Sequence, residues 1–105
     1  MKILLVNPNI TEAVTEMMAA EARRSASPGV KIEAVTAAFG TQYIETRVEA
    51  AIASHALLDV LAERAQGHDA AIISAFGDPG PAAAKAMPNI PVVGLSEAAL
   101  HTAYT

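Results

Sequence analysis

No cysteine and no tryptophan occur in this chain of 105 residues, and only 4% of it is aromatic. The first absence removes disulfides, thiolate metal sites and thiol nucleophiles from this chain alone. Basic residues are few: 7 Lys and Arg stand against 11 Asp and Glu, for a net charge of -4, with no basic run. Neither nucleic acid nor an anionic membrane surface is expected as a partner of such a chain. Long apolar runs are missing too. The opening MKILLVNPN places a lysine before an apolar run too short for a signal h-region, and no stretch reaches transmembrane length. A cytoplasmic protein is expected. Neither His68 nor His101 has a partner at metal-ligand spacing, and no metal site is expected.

What is present is a chain made to form a core. Hydrophobic residues make up 52% and charged residues 17%, which excludes a disordered tail and fits one domain spanning 1–105. The apolar mass is Ala, Val, Ile and Leu, a composition suited to helices laid on a buried parallel sheet. Apolar runs at residues 3–6, 30–36, 70–75 and 91–94 alternate with helical stretches. The helices are expected over about 11–25, from after AAFGT to near Gln66, around 81–86, and from Ser96 on. This β–α alternation predicts a flavodoxin-like doubly wound, parallel four-stranded sheet with helices on both faces.

Local signals agree. Asn9 with Glu12 reads as a capping pair, Ser96 as another helix start, and Asp78 with Pro79 as a cap followed by a first-turn proline. In the long helix Ile44, Val48, Ala51, His55, Leu58 and Ala62 recur at spacings of four and three, which predicts a core-facing stripe. His55 is then expected to be semi-buried and hydrogen-bonded. Glu45, Glu49 and Glu63 are expected on the solvated face, and the methionines in the core.

Ligands of open parallel sheets bind beyond the carboxyl ends of the strands. Here those ends are Asn7-Pro8-Asn9, Phe39-Gly40-Thr41, residues 75–80 (AFGDPG) and Ser96-Glu97, all with small or polar residues and helix starts that favour an anion such as a carboxylate. Each also has a purely structural reading: NPN as a turn with an asparagine cap, GDPG as a strong turn with Asp78 as its cap. Dinucleotide and phosphate-loop glycine patterns, a G-x-S-x-G elbow and paired aspartates after the first strand are all absent.

Taken together, KILLVNPNIT, FGTQYIETRVEAA, AAIISAFGDPG and IPVVGLSEAA resemble, in order, the amino-terminal half of the aspartate/glutamate/hydantoin racemase superfamily, nearest its hydantoin racemase branch. The resemblance covers nearly the whole chain. It implies two similar α/β lobes around a cleft, where one cysteine from each lobe faces the substrate α-carbon and no cofactor or metal takes part. Two bases are needed because one base would mostly return the proton to the face it came from. It further implies substrate-binding roles for Asn7, Pro8, Asn9, Phe39, Gly40, Ala75, Phe76 and Gly77, with a small-molecule carboxylate or hydantoin as ligand. Ala75 stands where that resemblance expects the first cysteine, and the second is expected in a second lobe that these 105 residues do not include. The expected reading is one lobe of a racemase-like isomerase of amino-acid metabolism, truncated, inactive alone and self-associating as a homo-oligomer. Two alternatives stay open: a single-thiol decarboxylase or isomerase of the same superfamily, and a non-catalytic small-molecule-binding lobe. A generic flavodoxin-like binder is the remaining rival.

Overall fold

The computed structural model describes residues 1–42, 44, 46–73 and 90–94. The element order is β1 (Lys2–Asn7), α1 (Glu12–Ser25), β2 (Lys31–Thr36), α2 (Arg47–Arg64), β3 (Ala70–Ile73) and β4 (Val92–Gly94). The strands form one parallel sheet in the order β2-β1-β3-β4. This is the doubly wound order anticipated from the alternation, and it makes β1 central. That position explains the run LLVN within KILLVN: Leu4, Leu5, Val6 and Asn7 are all buried, because a central parallel strand is covered on both faces. The edge strand β2 (KIEAVT) is only half-buried. The helix expected around 81–86 and the one from Ser96 on lie outside the described residues.

The core joins Leu4 and Val6 of β1 to Ala71 and Ile73 of β3, Val92 of β4, and Leu57, Val60 and Leu61 of α2. The expected stripe on α2 therefore needs correcting. The buried residues are Ala53, Ala56, Leu57, Val60 and Leu61, while Val48, Ala51, His55 and Ala62 are exposed and Leu58 is half-buried. Both faces of this alanine-rich helix are apolar enough to satisfy the period. The sheet takes the face with the larger, more continuous side chains, since burial energy scales with apolar area removed from water.

The helix starts also differ from expectation. Asn9 does not cap α1; Thr11 is its N-cap residue, without a side-chain cap hydrogen bond. The full capping box belongs to α2, where the Glu49 N–H donates to Thr46 Oγ1 (3.1 Å) and the Thr46 N–H to Glu49 Oε1 (2.9 Å). Glu49 is thus half-buried in a cap and not on an open face. Met1 and Met17 are exposed and do not fill the core.

Candidate functional site at the carboxyl edge of the sheet

Asn7, the last residue of β1, is 1% exposed, and buried polar side chains need partners. Its Nδ2 donates to the Thr11 carbonyl (3.1 Å) and to Thr15 Oγ1 (2.9 Å), while its Oδ1 accepts from the Asn9 N–H (3.1 Å). Thr15 Oγ1 in turn lies 2.7 Å from Thr36 Oγ1 at the end of β2. One side chain thus links β1, the first turns of α1 and β2. Asn9 continues the turn, its Oδ1 accepting from the Thr11 N–H (2.9 Å). The Pro8 side chain is fully buried, so what it gives to the edge is backbone shape.

The loop after β2 is tied to the loop after β1. The Ile10 N–H donates to the Thr41 carbonyl (2.9 Å), Thr11 Oγ1 to the Gln42 carbonyl (2.9 Å), and the Ala37 N–H to the Asn7 carbonyl (2.9 Å). Gly40 has φ +128°, a region that side-chain-bearing residues rarely adopt. A Cβ there would meet Ile52, Ala56 and the Pro8 carbonyl at 3.7–4.0 Å, so conformation and not space demands the glycine. Phe39 is 40% exposed and meets His55 edge-on, ring centroids 5.1 Å apart. His55, expected to be semi-buried and hydrogen-bonded, is an exposed residue packed against an aromatic edge.

Asn7, Pro8, Asn9, Phe39 and Gly40 therefore come together as two interlocked loops over neighbouring strand ends. The side chain of Asn7 is engaged in building its loop. The side chain of Asn9, half-buried, uses only its oxygen in the hydrogen bonds among the described residues, which leaves its Nδ2 without a partner there. Thr41 Oγ1 is buried with no hydrogen-bond partner among the described residues. Ala75, Phe76 and Gly77, with Asp78, Ser96 and Glu97, lie outside the described residues. Among the described residues no group of acidic or histidine side chains is arranged to hold a metal ion.

A second polar cluster escaped the sequence reading. At the opposite, amino-terminal edge of the sheet, Glu33 of β2 accepts from Arg64 Nη1 of α2 at 2.9 Å and lies 3.9 Å from Lys2 Nζ. His68, just before β3, is buried, and its Nε2 is 3.3 Å from Glu33 Oε2 outside hydrogen-bond geometry. Burial pushes the Glu33 carboxyl up, but the Arg64 hydrogen bond and the positive charge of its neighbours outweigh it, leaving the group below its usual value. No local pattern announces this cluster, because its members are separated in sequence and meet only through the parallel register.

With that geometry in view, comparison with known proteins identifies the class. Residues 3–105 match the model of the Asp/Glu/Hydantoin racemase family, and the chain belongs to that family. Among curated relatives, the chain is 40% identical to the hydantoin racemase of Paenarthrobacter aurescens over 103 residues, covering 96% of this chain and 44% of the relative. It is 32% identical to the hydantoin racemase of Pseudomonas sp. (strain NS671), covering 98% of this chain and 42% of that one. Among solved structures, allantoin racemase from Klebsiella pneumoniae superposes with a TM-score of 0.91 at 42% identity, covering 98% of this chain and 42% of that one. Allantoin racemase from Pseudomonas fluorescens gives 0.94 at 38% identity, covering 99% and 44%. The chain thus spans less than half the length of the relatives it matches.

Proposed function

We propose that this chain is the amino-terminal lobe of a cofactor-independent, cytoplasmic racemase-like protein whose ligand is a ring-shaped ureide of the hydantoin or allantoin kind. The likeness to both hydantoin and allantoin racemases supports the ligand class. The chemistry of the class is proton removal from a carbon next to a carbonyl and proton return on the opposite face. In this lobe the β1 loop and the Phe39-Gly40 loop form one wall of the ligand site. The Asn9 amide and the backbone of residues 75–77 would meet the polar ring, while Asn7 holds the wall in place. The sequence holds no thiol to serve in an acid–base pair for this step, and Ala75 stands where the family resemblance expects one.

The observation that carries the reading is a family match over residues 3–105 in a chain with no cysteine. The chain alone should therefore leave an enantiomerically pure hydantoin, allantoin, aspartate or glutamate unchanged, as read by chiral chromatography. Turnover by the purified chain that is abolished by Asp78→Ala, and so is not a contaminant, overturns the thiol-based account. The same cysteine-free composition favours a second reading, a lobe that binds such a ligand without converting it. Calorimetric binding of hydantoin with no racemisation, weakened by Asn9→Ala, would establish the binder.

A further inference from the structure

The stripe expected to face the core is the starting point. Val48, Ile52 and His55 follow one another at spacings of four and three on the side of α2 turned away from the sheet, with the small Ala51 beside them. Val48 is 70% exposed and Ile52 39%, and Phe39 extends the patch by its contact with His55. A surface helix ordinarily turns charge outward, and one that is apolar on both sides is built to be covered on both.

Charge pattern selects what covers it. Arg47 opens α2, and Asp59 lies one helical turn beyond His55 on the same side. Among the described residues neither side chain has a salt-bridge or hydrogen-bond partner. We propose that the outer face of α2 is a homotypic interface, packed antiparallel against the same face of a second copy about a two-fold axis level with residues 52–54. That register sets Arg47 opposite Asp59 of the partner subunit and repeats the pair at the other end, so two ion pairs bracket a centre of the apolar Val48, Ala51 and Ile52 with the His55 ring. A parallel pairing would set Arg47 against Arg47 and Asp59 against Asp59, which like-charge repulsion disfavours. Two-fold symmetry also closes the assembly at two copies through this face. The second copy then covers His55 and, through the His55–Phe39 contact, braces the loop that carries Gly40. This surface does not depend on the reaction proposed above.

Sedimentation velocity of the chain at micromolar concentrations tests the interface. The expected result is a dimer that Ala51→Glu weakens by about tenfold or more in dissociation constant, with an unchanged far-ultraviolet circular dichroism spectrum. Arg47→Asp and Asp59→Arg should each weaken it, and the doubly reversed chain should regain affinity over either single variant, the signature of a direct pair. A parent chain that is monomeric overturns the proposal and assigns the stripe to another polypeptide segment. A dimer indifferent to Ala51→Glu, or a double variant no better than the singles, overturns it as well.

Discussion

The two ends of the sheet are held by different forces. At the carboxyl edge Asn7, Thr15 and Thr36 make neutral hydrogen bonds in a buried or half-buried setting, and loop carbonyls take up the Ile10 and Thr11 donors. At the amino edge Lys2, Glu33 and Arg64 make ion pairs whose side chains are between 35% and 52% exposed. Buried neutral hydrogen bonds are directional and expensive to leave half-made, whereas exposed ion pairs are worth little and are screened by salt. The edge proposed to form a ligand wall is thus fastened by bonds indifferent to salt and, near neutrality, to pH. The opposite edge carries the sensitivity to both.

The largest test of this contrast is Asn7→Ala. Three hydrogen bonds go and the neighbouring donors and acceptors lose a buried partner, so a cost of about 2–3 kcal/mol is expected. In a domain of this size that lowers the midpoint of thermal unfolding by roughly 10 °C or more. A drop of a degree or two would show that Asn7 is held for the ligand and not for the loop.

Gly40→Ala is expected to cost about 1–2 kcal/mol, because a Cβ is disfavoured at φ +128° even where space allows it. Denaturant midpoints measured beside those of Gly29→Ala, at φ 89° with open space around it, separate loop strain from contact. Equal losses at the two positions would mean that backbone conformation alone sets the cost and that contact with Ile52 and Ala56 adds nothing.

The smallest effect belongs to the amino edge. The Glu33 carboxyl lies below its usual value of 4.5 in the folded chain. Its contribution to stability is therefore fully present above that value and lost as pH falls through the lower folded one. Glu33→Gln should cost less than about 1 kcal/mol near neutrality, given the exposure of the pairs. It should also flatten the fall in stability below pH 4.5, and added salt should shrink the difference at neutral pH. An acid limb unchanged in the variant would remove Glu33 as its source.

Much of the fold was legible because strand and helix signals alternate so regularly. An apolar run such as ILLV can hardly be anything but a central parallel strand. The candidate loops were legible from the same alternation, since the edge that binds ligands follows from the topology. The packing side of α2 was not. With alanine at so many positions, the stripe through Val48 and His55 and the one through Leu57 and Leu61 both carry helical period, and only three-dimensional packing decides between them. The α2 cap was available as Thr46-x-x-Glu49, a pattern written openly in the sequence and missed. His68 could not have been paired with Glu33 from spacing, because their contact depends on β1 separating β2 from β3 in the sheet.

The central place of β1 has a further consequence, in time. Its neighbour β3 lies far along the chain; the Lys2 N–H donates to Asp69 across a separation of 67 residues. At synthesis rates of roughly 5–20 residues per second, several seconds pass between the emergence of the two strands. Throughout that interval the ILLV segment has only β2 to pair with, and one of its edges stays open to other chains. The Asn7–Thr15–Thr36 relay draws its members from β1, α1 and β2 alone, so it needs nothing beyond the first 36 residues to fasten that open strand to its early neighbours.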